Sequence, residues 1–160
     1  MSVTVDISNE FDHWPAGIPD IETFTTQAIA AALAGAKVAL QDHVEVSIVY
    51  CDDAFIHDLN KQWRRKDAPT NVLSFPLASG AALATTPMLG DIIISCETVM
   101  REARDEGKSF ADHLAHMLVH GALHLAGYDH EIDADAETME ALERTVLSQL
   151  GVDDPYRDAL

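Results

Sequence analysis

Residues 120–130 read HGALHLAGYDH, and three histidines in that stretch, His120, His124 and His130, have the types and spacing to hold one zinc ion. Histidines four apart on a helix project from one face, close enough for both rings to reach the same cation. Gly127 adds the means for the third, since a residue free to take positive φ ends a helix and turns the chain back. Three protein ligands leave one coordination position open, which is the mark of a catalytic rather than a structural site. Zinc with an open position lowers the pKa of a bound water from about 15.7 to about 7, making a nucleophile near neutral pH. The competing interpretation, histidines buried for packing alone, accounts for neither the spacing nor the glycine.

The same spacing occurs in zinc peptidases of the metzincin type, where a Glu follows the first histidine as general base. Here that position is Gly121, so peptide hydrolysis lacks its proton acceptor and becomes the secondary expectation. Upstream, His113 and His116 continue the stripe of His120 and His124 along one helical arc. One helix row cannot bring four rings to one ion, so His113 and His116 are expected to be hydrogen-bonded groups behind the ligands. Asp129 adjoins a ligand and is expected to orient an imidazole rather than to move a proton.

These residues need elements to hold them, and the chain supplies them in mixed order. Strands are expected at VTVDIS, at VEVSIVY with Val44, Val46, Ile48 and Tyr50 on one face, at NVLSFPL with Pro76 marking an edge, and from Gly90 to Ser95. Helices are expected from Pro19 to Leu40, from an Asp52 or Asp53 cap to about Arg64, from a Ser95 cap to Gly107, from Ser109 through the histidines, and from Glu131 to Leu150. The last is amphipathic, apolar at Met139, Leu142, Val146 and Leu150, with its acids assigned to solvent. The segment ASGAALATTP is expected to be loop. The class is α+β: a mixed sheet of about four strands flanked by about five helices, one of them a metzincin-like zinc helix, forming one domain over residues 1–160.

Composition limits the function classes. The start of the chain has no basic and apolar leader, and no run of eighteen apolar residues occurs, so export and membrane spanning are not expected and a cytoplasmic protein is. Cys51 and Cys96 each close an apolar run, as buried free thiols would. A net charge of −17 opposes broad nucleic-acid binding. Yet four of ten cations, Lys61, Arg64, Arg65 and Lys66, fall within six positions, either as a local phosphate-binding patch or as a helix end facing its own carbonyls.

Taken together, HGALHLAGYDH, RRKDAPTNVLSFP and LGDIIIS occur in the order and separation that resemble the bacterial YbeY family over most of the chain. That resemblance implies a zinc-dependent endoribonuclease that cleaves single-stranded RNA, acting in 16S rRNA 3′-end maturation and ribosome quality control. It implies His120, His124 and His130 as ligands of one Zn²⁺ and Arg64 as the arginine that supports catalysis; the cationic run beside Arg64 adds Arg65 and Lys66 as expected substrate contacts. It further implies an rRNA precursor as partner. The acidic surface adds a second one, a ribosomal protein or ribosome-associated GTPase, to bring RNA to a chain that otherwise repels it. A zinc metallopeptidase and a non-catalytic ribosome assembly factor with a structural zinc are the alternatives. Asn71 stands where the family pattern commonly has Asp, so no catalytic role is carried to it.

Overall fold

In a computed structural model the chain is described for residues 1–129 and 131–157. Its elements run β1 (Ser2–Asn9), α1 (Ile21–Gly35), β2 (His43–Cys51), α2 (Asp53–Arg64), β3 (Val72–Pro76), a short 3-10 helix (Gly80–Thr85), β4 (Met88–Ser95), α3 (Cys96–Glu106), α4 (Phe110–Leu125) and α5 (Asp133–Gln149). The sheet order is β1-β2-β4-β3; β1–β2 and β2–β4 pair in parallel and β3 joins β4 antiparallel. The chain is α+β, with a mixed four-stranded sheet as the residue pattern indicated. Among the described residues no helix is long and apolar enough to cross a membrane.

Capping chemistry fixes the helix starts. Asp20 Oδ1 accepts from the Glu22 and Thr23 amides, so α1 begins at Ile21 rather than at Pro19, and it ends at Gly35 rather than Leu40. Gly35 marks a close approach there, since a Cβ would lie 2.8 Å from Val146 Cγ2. Asp52 caps α2 through the Phe55 amide, Ser95 caps α3, and Ser109 Oγ takes the Asp112 amide to start α4. Gly107, at φ 69°, ends α3 as expected. The segment expected to be loop contains the 3-10 helix, packed by its buried Leu83.

The period of two along the strands splits the core in two. Val44, Val46, Ile48, Tyr50, Ile92 and Ile94 face α1, α4 and α5 in the larger cluster; Cys51, Leu73 and Ile93 face α2 through Ile56. Both cysteines are buried and free. Strand β3 is therefore an edge strand with α2 behind it and α4 in front, and Pro76 closes it.

Candidate active site

Between β3 and the C-terminal half of α4 lies a cavity of about 670 Å³. His120, His124, Arg64, Lys66, Tyr128 and Asp129 are among its lining residues. The histidine stripe forms because α4 is otherwise apolar: Leu114, Leu118, Val119, Ala122, Leu123 and Leu125 are buried, leaving one polar row. His120 and His124 bring their Nε2 atoms within 3.1 Å of each other. Gly127, at φ 101°, turns the chain after α4 back toward the cavity. His130, the expected third ligand, lies outside the described residues.

Behind the pair stands an acid that the acid-rich pattern of its helix predicts in solvent. Glu143 on α5 is fully buried: its Oε1 is 2.5 Å from His120 Nδ1, and its Oε2 is 3.4 Å from His116 Nε2 and accepts the Tyr156 hydroxyl. The expectation that the acids of this helix all face water fails at this residue. Glu143 falls in register with Met139, Leu142 and Val146, so an acid inside an apolar stripe was the available signal. Nothing in the sequence pointed to Tyr156, which reaches the site from the segment after α5.

Burial alone would raise the Glu143 carboxyl, but hydrogen bonds from His116 and His120, the charge of His120 and the Tyr156 hydroxyl outweigh it and hold the pKa down to about 2. The carboxylate is thus an acceptor facing His120 Nδ1, and the other ring nitrogen, Nε2, is the one turned toward His124. Burial, and next the Glu143 hydrogen bond, push the Tyr156 hydroxyl up, keeping it a neutral donor. His116, His120 and Glu143 offer ligand atoms within 4.8 Å of one another, so this region could hold a metal ion. His113 and His116 are hydrogen-bonded: His113 Nε2 pairs with Glu102 Oε1 at 2.9 Å, and His116 Nε2 with the Tyr156 hydroxyl at 3.2 Å.

The cationic run divides by position. Arg64 Nη2 donates to Ser74 O at 2.7 Å, taking a carbonyl of the edge strand, and its guanidinium lies 5.2 Å from the Phe75 ring centre. That hydrogen bond uses one of its five N–H donors and brings the side chain into the cavity wall. Arg65 does not line the cavity; its left-handed φ of 57° terminates α2, and the turn carries Lys66 into the lining. Asn71 Nδ2 donates to Glu102 Oε1 at 3.0 Å while its Oδ1 accepts the Val72 amide at 2.7 Å. At 121 a Cβ would meet Ile92 Cγ2 at 2.9 Å, so the position of the peptidase general base is packed against β4.

The family model described as Endoribonuclease YbeY matches residues 7–151. Proteins named Endoribonuclease YbeY are similar to the chain: one from Methylocella silvestris is 54% identical, covering 100% of this chain and 89% of the relative. Another from Paramagnetospirillum magneticum is 47% identical, covering 98% of each. The solution structure of a Thermotoga maritima protein matches the fold with a TM-score of 0.56 at 24% identity, covering 97% of this chain and 100% of that one.

Proposed function

The chain belongs to the YbeY family of endoribonucleases, and from that premise we propose that it cleaves single-stranded RNA in 16S rRNA 3′-end maturation and ribosome quality control. The observation that carries the reading is the pair of imidazole nitrogens 3.1 Å apart on a cavity that also receives Arg64 and Lys66. Two nitrogens bound to one tetrahedral zinc at about 2.0–2.1 Å would be separated by about 3.3 Å, so the donor set fits the ion. His120, His124 and His130 are its proposed ligands, and a bound Zn²⁺ would supply a Lewis acid beside the scissile phosphate.

The chain's own residues do the rest. Arg64, anchored to Ser74 O, presents a planar cationic fork to phosphate oxygens and offsets charge that builds on them during cleavage. Lys66 contributes a second positive charge to the same wall, whereas Arg65 contributes through the backbone turn. The attacking group is either water or the substrate 2′-hydroxyl, and a cyclic phosphate at the product end identifies the second route. RNA is the partner; a ribosomal protein or ribosome-associated GTPase would deliver it in the cytoplasm to an acidic chain that acts as one domain over 1–160.

Single-stranded RNA cleavage by wild type, Arg64→Ala and His120→Ala, purified identically, tests this reading. Both variants lose at least 100-fold in kcat/KM, about the contribution of one preorganised charge-stabilising group; Arg64→Ala keeps its metal and His120→Ala does not. Retained cleavage in both would mark a contaminant or a non-catalytic assembly factor. Casein run in parallel addresses the peptidase alternative, which the packing at Gly121 disfavours.

A further inference from the structure

Glu143 is a buried charge that the cleavage chemistry does not use directly, and its two oxygens are divided. Oε1 belongs to His120 Nδ1 at 2.5 Å, whereas Oε2 accepts the Tyr156 hydroxyl in a close hydrogen bond and has a long contact of 3.4 Å to His116 Nε2. Tyr156 is itself pinned. The Arg144 guanidinium lies 5.3 Å from its ring centre, Arg144 Nε donates to Asp154 Oδ1 at 3.3 Å, and the same oxygen accepts the Tyr156 amide at 2.8 Å. Both anchors of the metal-side histidine therefore come from α5 and the segment following it, not from the helix that bears the histidines.

We infer that Glu143 and Tyr156 form a latch that sets the metal affinity of the His120–His124 pair, with Tyr156 acting as a positioning residue through Glu143. A carboxylate on Nδ1–H fixes the imidazole tautomer, aims Nε2 and makes it a stronger donor to a cation. The Tyr156 hydroxyl holds the second oxygen, so the carboxylate cannot swing toward His116 and release His120. Without that hydroxyl, Oε2 keeps one long contact, and His116 competes for the same group. The inference rests on the proposal that His120 and His124 share a metal ion.

The test measures zinc dissociation constants by competition with a chromophoric chelator, and visible spectra of the cobalt(II)-loaded proteins, for wild type, Glu143→Gln and Tyr156→Phe. Both variants are expected to bind zinc about 10- to 100-fold more weakly, with shifted cobalt bands, while the metal-free Tyr156→Phe protein stays folded and unfolds in one cooperative transition at a lowered midpoint. Wild-type affinity within twofold and unchanged cobalt spectra in the folded variants would overturn the latch. If Glu143→Gln does not fold, Tyr156→Phe, which deletes one oxygen, decides alone. Absence of zinc binding by wild type would overturn both the metal proposal and the latch, whereas equal tight binding by all three proteins removes the latch and leaves the metal proposal standing.

Discussion

Position 121 shows how a missing side chain can be a packing requirement as well as a missing catalyst. A Cβ there would lie 2.9 Å from Ile92 Cγ2, and Gly121 is not among the residues that line the cavity. Gly121→Ala should cost about 1–3 kcal/mol through overpacking of α4 against β4, read by denaturant unfolding; an unchanged midpoint would mean the helix moves away freely. Asn71 is a second such position. Its amide donates to Glu102, which also holds buried His113, so Asn71→Asp would set two carboxylates about 3 Å apart. The expected loss is about 1–2 kcal/mol near neutral pH, recovering on acidification as one of the pair takes a proton. A loss independent of pH would rule out charge repulsion as its cause.

Among the elements, the starts of the helices were readable because side chains that cap are short polar residues with fixed offsets. Ser109 and Asp52 act where their spacing said they would. Ser109→Ala should destabilise the protein by about 1 kcal/mol, measured by thermal or urea unfolding, and because it acts on the helix that carries the histidines it should also loosen metal binding slightly. Helix α2 is tied to α3 by Asp53, which accepts Ser95 Oγ and Thr98 Oγ1 at 2.6 Å and Arg101 Nη1 at 3.2 Å. Burial works to raise its carboxyl, but the hydrogen bonds from Ser95, Thr98 and Arg101 prevail and lower it below 3.8. A folded pKa below the unfolded one gives stability that is present above about pH 4 and fades as pH falls through the folded value. Asp53→Asn should therefore be less stable than wild type at neutral pH, with the gap closing in acid; a constant gap from pH 7 to pH 2 would contradict the assignment. What stayed hidden belongs to contacts between distant segments. The pairing of Glu143 with His120 spans 23 positions, and Tyr156 lies 13 beyond Glu143. The acid-rich pattern of α5 points Glu143 to solvent with its neighbours and names no partner for it, and local spacing shows that Arg65 follows Arg64 without showing that one lines the cavity while the other turns the backbone.

Across the whole molecule, the order β1-β2-β4-β3 leaves β3 at the edge, and that placement lets α2 reach round the sheet to put Arg64 opposite α4. The helical stripe of His120 and His124 and the family were legible in short stretches of sequence; the cavity was not, because it exists only once the edge strand and α4 face each other. The net charge of −17 surrounds this cationic wall with repulsion, so affinity for long RNA should be weak and should not rise steeply at low salt as it does for broadly basic proteins. Filter binding of unstructured RNA across a salt series checks this, and tight binding by the isolated protein at physiological salt would remove the need for a delivering partner. X-ray absorption at the zinc edge of protein loaded with one equivalent should show imidazole nitrogens at about 2.0–2.1 Å with a remaining light-atom position open to exchange, and His124→Ala should lose stoichiometric zinc. A sulfur shell, a site closed by four protein ligands, or full zinc retention in that variant would contradict an open zinc site on these histidines.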